Sequence, residues 1–313
     1  MKKIINSIII GITLPIVLVS CKTNLKINTS LETITESKIE KNTSTIKESL
    51  TTIESTTNST TNTKNTNLKS LGTWWWNSNL DLNEYISFAK ENKVTEIYYC
   101  NYRLDKSDEI LKLAKENNMN VYLLLGEKEW LNDRKDLDTI IQNYISYQNI
   151  HNNKFSGIHF DIEPHQFNNF KTNRSDYLYK LIDIIKTNKD KYNSISFDYD
   201  IPFWLDDNIT YNEESKECYK HIIDYADRVF LMSYRDTAEE MYNVSKDEIL
   251  YAKNNSKIVY LGAETYSTEG DNVSYFEEGK NKMYFELNKL RSVLPDNFGI
   301  AIHNIKSWKD LKE

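Results

Sequence analysis

The feature that most constrains the fold is a series of eight short apolar segments from residue 71 onward. They read LGTWWW at 71, VTEIYYCN at 94, NVYLLLG at 120, GIHFDIEPH at 157, SISFDYDIP at 194, RVFLMSY at 228, KIVYLGAET at 257 and FGIAIHN at 298. Between them lie amphipathic segments such as SDEILKLAKENN and SDYLYKLIDIIKTN, whose apolar residues recur at helical spacing. The segment YFEEGKNKMYFELNKLRSVLP supplies the last of these predicted helices.

Strands that alternate with helices imply a parallel sheet, and nearly continuous apolar strands imply a sheet that is buried on both faces. Eight such units within residues 70–313 predict a (β/α)8 TIM barrel. An open, doubly wound sheet is the main rival. It usually carries a glycine-rich phosphate turn after an early strand, and this sequence has none.

The first twenty residues predict export, because Met1-Lys2-Lys3 precedes the apolar run IINSIIIGITLPIVL. This run is too short for a confident membrane-spanning helix, and it ends in LVSC at Cys21. The ending resembles the lipobox of bacterial lipoproteins, in which the cysteine is diacylated and becomes the mature N-terminus. The resemblance implies a lipid on Cys21 that holds the protein to the extracytoplasmic face of the cell membrane.

A polar segment follows the cysteine. Residues 22–69 are rich in Ser, Thr, Asn, Lys and Glu and have no aromatic residue, so they cannot bury enough apolar surface to fold. We therefore expect residues 1–20 to be a signal peptide, 21–69 a lipidated cysteine with a disordered tether, and 70–313 the barrel. We also expect a monomer without cofactor or metal ion.

Charge and cysteine content limit the remaining possibilities. The net charge of −7 argues against nucleic acid as a partner. Apart from Cys21, the chain has only Cys100 and Cys218, whose spacing is not that of a metal site. Free, buried thiols are therefore expected rather than a disulfide framework.

In a (β/α)8 barrel the chemistry lies at the carboxyl ends of the strands. Here those ends are rich in polar, acidic and aromatic side chains. The ones that we expect to contact a substrate are Trp76, Asp198, Asp200, Arg235, Asp236 and His303.

The fourth apolar segment carries an acidic pair. Alternate side chains of a strand share one face, about 6.6 Å apart along the chain, so Asp161 and Glu163 point the same way. Two close carboxylates in a partly dry pocket oppose each other's ionisation, and one of them then stays protonated near neutral pH. The pair could thus supply a general acid. Neutralisation by Arg103, Arg235 or a lysine is the structural alternative.

The stretch SGIHFDIE is similar to the strand-four motif DGxDxDxE of family 18 glycoside hydrolases, the chitinase and endo-β-N-acetylglucosaminidase group. Gly157, Asp161 and Glu163 agree with it, whereas Ser156 and His159 replace two of the acids. The resemblance implies that Glu163 is the proton donor and that Asp161 orients the substrate's acetamido group.

A second stretch, LMSYRD, is similar to the family's strand-six motif MxYD. It matches at Met232 and Tyr234, with Arg235 in place of the acid and Asp236 displaced by one residue. The resemblance adds Tyr234 to the predicted catalytic residues. It implies a polysaccharide or a glycoprotein glycan as the substrate.

A different glycosidase mechanism starts from Glu163-Pro164 and Glu264. Many retaining barrel glycosidases place an acid/base glutamate after strand four and a nucleophilic glutamate after strand seven, and the two residues occupy those positions. Both hypotheses gain from aromatic rings near the strand ends, since flat rings stack on sugars. Alternation along TWWW puts Trp74 and Trp76 on one face and Trp75 on the other.

Two further hypotheses lie outside hydrolysis. The alternating His159, Asp161, Glu163 and His165, with His303, could form a metal site, although GTWWWN lacks the usual histidine pair after strand one. Because two acids of the strand-four motif are replaced, the protein could also be a non-catalytic lipoprotein that binds glycan.

Overall fold

The computed structural model describes residues 70–313 except residues 105, 269 and 271. The predicted signal peptide, Cys21 and the tether lie outside the described residues. Within the described part of the chain, no helix combines the length and the apolar character needed to cross a bilayer.

The strands of the described region are numbered in chain order. They are β1 (Leu71–Trp75), β2 (Glu96–Cys100), β3 (Asn120–Leu125), β4 (Gly157–Phe160), β5 (Phe197–Pro202), β6 (Asn208–Tyr211), β7 (Glu214–Glu217), β8 (Arg228–Met232), β9 (Ile258–Glu264) and β10 (Gly299–His303). All eight predicted strands are present. The hairpin of β6 and β7 was not predicted.

The α-helices fill the intervals between strands. They are α1 (Leu82–Glu91), α2 (Ser107–Glu116), α3 (Lys135–Ile150), α4 (Arg174–Lys191), α5 (Cys218–Tyr225), α6 (Ala238–Val244), α7 (Lys246–Asn254), α8 (Lys280–Val293) and α9 (Ile305–Asp310). Three short 3-10 turns cover Lys128–Leu131, Pro164–Gln166 and Phe170–Thr172. The last predicted helix is present as α8 and begins at Lys280, after Gly279 with a φ of 88°.

Eight strands, all those above except β6 and β7, pair in parallel and close into a barrel. Their order around the barrel is β1-β10-β9-β8-β5-β4-β3-β2. The (β/α)8 prediction is confirmed, and the open-sheet alternative is wrong. The antiparallel pair β6–β7 is a separate hairpin inserted between β5 and α5. Because every barrel strand runs in the same direction, the carboxyl ends of all eight meet at one rim, the barrel mouth.

Two apolar cores follow from the alternation of side chains. The larger lies between barrel and helices and includes Trp75, Ile158, Phe160 and Ile162. The smaller fills the barrel interior and is built from Trp74, Tyr98, Tyr122, Leu124, Phe230, Tyr260 and Ala301, with Trp76 packed against it. The predicted division of the three tryptophans between two faces is confirmed.

Candidate active site

The mouth end of β4 places the acidic pair inside the barrel. Ile158, Phe160 and Ile162 are at most 2% exposed and pack towards the helices. The alternate residues His159, Asp161 and Glu163 therefore face the interior. Gly126, at the end of β3, allows this approach, because a Cβ atom there would lie 2.5 Å from the carbonyl oxygen of Asp161.

Glu163 is buried, with 7% of its surface exposed. The side-chain amide of Gln166 donates to its Oε2, and Nε2 of His165 lies 3.6 Å from its Oε1. Burial raises the pKa of Glu163 to about 7, with a further rise from Asp200, against the hydrogen bond from Gln166 and the charge of His303. The carboxyl can therefore hold a proton, and release it, near neutral pH.

Asp161 is the second member of the pair. Its Oδ1 is buried and has no hydrogen-bond partner among the described residues. Burial, the charge of Glu163 and the charge of Asp200 raise the pKa of Asp161 well above its usual range. Asp161, Glu163 and Asp200 are named here the mouth cluster, in which the charge of Asp200 opposes the ionisation of the other two acids.

Asp200, from β5, is the most firmly held member of the mouth cluster. Its Oδ2 accepts hydrogen bonds from Nε1 of Trp74 and Nε2 of His159, each at 2.9 Å. His159 is fully buried, and its Nδ1 lies 3.8 Å from Oδ2 of Asp198. Burial lowers the pKa of His159, but the two aspartates outweigh that effect and raise it overall.

Tyr234 and Arg235 follow β8 at the mouth. The Tyr234 ring packs against Gly262, where a Cβ atom would lie 3.1 Å from its Cε1, and lies 6.2 Å from the ring of His303. Burial and then Glu264 raise the pKa of Tyr234 well above its usual range, so the phenol stays neutral and can donate a hydrogen bond. Arg235 donates to the carbonyl of Tyr234 at 2.6 Å and stacks on Phe203.

Asp236 does not join the mouth cluster. It lines a cavity of about 580 Å³ whose other lining residues are Thr237, Glu239, Glu240, Asn243, Asn272, Lys282, Glu286 and Lys289. None of the three residues of the mouth cluster lines this cavity. The structure therefore separates Asp236 from the acids with which the sequence grouped it.

Glu264 is the last residue of β9, and both of its carboxylate oxygens accept hydrogen bonds. Its Oε1 accepts the backbone N–H groups of Thr265 and Tyr266, each at 2.7 Å, and its Oε2 accepts Nδ1–H of His303 at 2.9 Å. Nε1 of Trp76 lies 3.0 Å from Nε2 of His303 and donates to it when the imidazole is neutral. Glu264, His303 and Trp76 thus form one hydrogen-bonded chain.

Asp198 lies too deep to contact a substrate, and the structure corrects its predicted placement at the mouth. It is the second residue of β5 and is fully buried. Arg228 donates to its two oxygens at 2.9 and 2.6 Å, and to both oxygens of Glu96 at 2.9 and 2.7 Å. Glu96, Asp198 and Arg228, named here the lower cluster, neutralise one another below the mouth.

The aromatic residues divide into packing and accessible groups. Trp74 is 2% exposed and acts inside the barrel as a hydrogen-bond donor. Trp204 is half-buried beyond β5, with the ring of His165 at 5.5 Å and the guanidinium of Arg174 at 4.8 Å. Trp76 and Trp204 are therefore the two predicted tryptophans with surface left for a ligand.

The metal hypothesis finds no matching geometry. Among the described residues, no three His, Cys, Asp or Glu side chains are grouped so that they could hold an ion. His159 is bonded to Asp200, whereas His165 lies in the turn after Glu163. Cys100 and Cys218 are free thiols, as predicted.

Gln166 and His165 are the contacts of Glu163 that the motif analysis did not assign. Both lie in the 3-10 turn Pro164–Gln166, which folds back towards the carboxyl of Glu163. The local signal was available, since Pro164 at the start of the turn favours this conformation. The electrostatic effect of Asp200 on Glu163 had no local signal, because it depends on the pairing of β4 with β5.

No protein-family model matches the chain, and no curated protein matches it. Solved structures with a similar fold include a chitinase from Bacteroides thetaiotaomicron, with 14% identity, a TM-score of 0.49, and 77% of this chain and 91% of that one covered. A GH18 chitinase from Cycas revoluta in complex with (GlcNAc)3 has 10% identity, a TM-score of 0.46, and coverages of 77% and 96%. A sugar phosphate isomerase/epimerase from Parabacteroides distasonis has 11% identity, a TM-score of 0.43, and coverages of 75% and 89%.

Proposed function

We propose that this protein is a glycoside hydrolase that cleaves an N-acetylated glycan with Glu163 as the general acid. The observation that carries the proposal is the environment of Glu163. A buried carboxyl with a pKa of about 7, at the mouth of a (β/α)8 barrel, has the proton and the position that glycosidic-bond cleavage requires.

The proposed first step is proton transfer to the leaving group. The Glu163 carboxyl donates its proton to the glycosidic oxygen as the bond from that oxygen to the anomeric carbon breaks. The carbonyl oxygen of the substrate's own acetamido group attacks the anomeric carbon, while Asp161 accepts the acetamido N–H. Water then attacks the anomeric carbon as the bond from that carbon to the acetamido oxygen breaks. The Glu163 carboxylate takes a proton of that water, which restores the starting state.

Glu264 is the residue that separates this route from the covalent alternative. A retaining nucleophile needs an oxygen free to attack the anomeric carbon. Both oxygens of Glu264 already accept hydrogen bonds from the protein, which favours a positioning role for it towards His303 and Trp76. Glu264→Gln should therefore reduce kcat/KM by about tenfold, whereas loss of a covalent nucleophile would cost on the order of a thousandfold or more.

The remaining mouth residues are proposed to bind the sugar. The neutral Tyr234 phenol can donate to the acetamido carbonyl, and Trp76 and Trp204 offer ring surface for stacking. Arg235 is proposed to contact substrate hydroxyls near Phe203. The substrate class that fits these groups is a polysaccharide or a glycoprotein glycan with N-acetylhexosamine units.

We further propose that a lipid on Cys21 anchors the protein to the extracytoplasmic face of the cell membrane. The support is the sequence LVSC after the apolar run, followed by the polar tether. Cys21→Ala should move the protein from the membrane fraction to the soluble fraction, and metabolic labelling with a fatty acid should be lost. Labelling that persists in the variant would contradict lipidation at Cys21.

The hydrolase proposal is tested with chitin oligomers, peptidoglycan fragments and released N-glycans as substrates. Wild-type protein should release product from at least one of them, and Glu163→Gln should not. Glu129→Gln is the matched control, because Glu129 is an exposed glutamate in the turn that follows β3. Binding without turnover by wild type and by both variants would instead identify a glycan-binding protein, the alternative that the replaced acids at Ser156 and His159 favour.

A further inference from the structure

The register of two neighbouring strands brings a third carboxyl beside the acidic pair. β4 and β5 pair Ile158 with Phe197, His159 with Asp198 and Phe160 with Tyr199. One more step along both strands puts Asp161 beside Asp200, on chains that lie about 4.8 Å apart. Tyr199 and Ile201 belong to the outer core, so Asp200 faces the interior as Asp161 does.

The hydrogen bonds of Asp200 distinguish it from its neighbour. Its Oδ2 accepts two N–H groups, from Trp74 and His159, whereas no donor reaches either Oδ1 of Asp200 or Oδ1 of Asp161 among the described residues. Asp200 is buried, with 4% of its surface exposed. Both hydrogen bonds to Asp200 thus fall on Oδ2, and Oδ1 accepts none within the described part of the chain.

His159 lies closer to Asp200 than to Asp198. His159 Nε2 lies 2.9 Å from Asp200, and His159 Nδ1 lies 3.8 Å from Asp198. Asp198 is already neutralised by Arg228 at 2.6 Å. His159 therefore pairs more closely with Asp200 than with Asp198.

Other titratable groups surround the mouth cluster. Tyr102, after β2, interacts electrostatically with Asp161. Tyr234 after β8 and His303 at the end of β10 both interact electrostatically with Asp200 and Glu163. On the side of β4, His165 and Gln166 contact Glu163 directly. Gln166 is uncharged, and burial together with Arg174 lowers the pKa of His165 to about 4, so this side adds no cation at neutral pH.

We propose that Asp200 is a positioning residue for proton transfer: its carboxylate, hydrogen-bonded by Trp74 and His159 beside Asp161, keeps the transferable proton on the Asp161–Glu163 pair. The inference rests on the proposed role of Glu163 and adds a residue to it. The charge acts through space on the acids that contact substrate, and Asp200 itself need not touch the sugar.

The electrostatics agree with this geometry. The negative charge of Asp200 contributes to the raised pKa of both Asp161 and Glu163. At residue 159, where the strand-four motif has an acid, this chain has a histidine, and the interior carboxylate comes from β5 instead. His159 and Asp200 are hydrogen-bonded to each other at 2.9 Å, and Trp74 bonds the same aspartate oxygen.

The test is the titration of Glu163 in the full-length chain without substrate, followed by NMR with ¹³C-labelled glutamate carboxyls. The signal is assigned by its loss in Glu163→Gln. Asp200→Asn should move the Glu163 midpoint down by about one pH unit, because the repelling charge is removed. His159→Gln keeps a donor to Asp200 but removes the positive charge, so it should move the midpoint up by about one pH unit.

The two variants are expected to move the Glu163 midpoint in opposite directions, which makes the test specific. A general loss of packing would move both variants in the same direction, and that result would overturn the proposal, as would an unmoved midpoint in folded Asp200→Asn. Asp176→Asn, which removes the same charge from an exposed site on α4, is the matched control and should leave the midpoint unchanged. If Asp200→Asn does not fold, His159→Gln alone decides, since an unmoved or lowered midpoint there also overturns the proposal.

The titration separates this inference from the proposed function. It needs no substrate, so a protein without hydrolase activity still reports whether Asp200 holds the proton in place. If the protein is an active hydrolase, the alkaline limb of its pH profile for kcat/KM should shift in the same two directions. If the enzyme is active but the midpoints of the variants do not move, the proposed role of Glu163 stands and the proposed role of Asp200 is rejected.

Discussion

The barrel interior contains two clusters of buried carboxyls, and they differ in their partners. In the lower cluster, Glu96 and Asp198 share the guanidinium of Arg228 through four hydrogen bonds. In the mouth cluster, the bonded group is His159, whose Nε2 lies 2.9 Å from Asp200 and whose Nδ1 lies 3.8 Å from Asp198 of the lower cluster. Although burial opposes ionisation in both, Arg228 lowers the pKa of Asp198, whereas the pKa values of Asp161 and Glu163 are raised.

The comparison shows that burial alone does not make an acid reactive. Both clusters lie in the same barrel and contain buried aspartate and glutamate side chains. A guanidinium with a fixed fork geometry satisfies two carboxylates at once and leaves no proton to transfer. Where that cation is missing, the carboxyls share protons with one another, and a proton becomes available for chemistry.

The largest effect on stability is expected in the lower cluster. Arg228→Met would leave Glu96 and Asp198 buried without their cation, which should lower the free energy of unfolding by about 3–5 kcal/mol. Denaturant unfolding measures this loss. Arg134→Met is the matched control, because the Arg134–Asp183 pair is about one-third exposed and should contribute less than about 1 kcal/mol. Equal losses in the two variants would remove the distinction between buried and surface pairs.

The pH dependence of stability should have opposite signs in the two clusters. The pKa of Glu163 is raised from 4.5 to about 7. The contribution of Glu163 to the free energy of unfolding is therefore complete below pH 4.5 and is lost as the pH rises through about 7. The pKa of Asp198 is lowered from 3.8, so its contribution is present above 3.8 and is lost as the pH falls below that value.

The measurement is the free energy of unfolding between about pH 5 and pH 8. It should decline with pH in the wild type, and Glu163→Gln should remove about 2–3 kcal/mol of that decline. A decline of the same size in the variant would mean that Glu163 ionises normally in the folded protein.

The smallest expected effect concerns Gln166. Its amide donates to Glu163 and opposes the rise in the pKa of that carboxyl. Gln166→Ala should therefore move the alkaline limb of the activity profile upward by less than about one pH unit. A downward movement would show that Gln166 does not stabilise the ionised carboxylate.

Much of the fold could be predicted because its signals are local. Each strand is a short apolar run, and the alternation within TWWW and GIHFDIE correctly separates outward Trp75, Ile158 and Phe160 from the inward residues. The acidic pair of the site was accessible for the same reason, since Asp161 and Glu163 lie two residues apart on one strand.

The partners across strands could not be predicted. Asp198 and Asp200 look alike in SISFDYDIP, yet β5 continues to Pro202, which leaves Asp198 near the start of the strand and Asp200 nearer the mouth. The pairing of Asp198 with Arg228 follows from the β5–β8 register, across the unpredicted hairpin. Which carboxyl obtains a cation is thus decided by strand register.

The most direct test of the role of Glu163 compares two leaving groups in Glu163→Gln. A dinitrophenolate leaves without protonation, whereas a sugar alcohol needs a general acid. The account predicts that kcat/KM falls by about a hundredfold to ten-thousandfold for an N-acetylated oligosaccharide and changes little for the matching dinitrophenyl glycoside. Equal losses on both substrates, or no loss on the oligosaccharide, would contradict Glu163 as the proton donor.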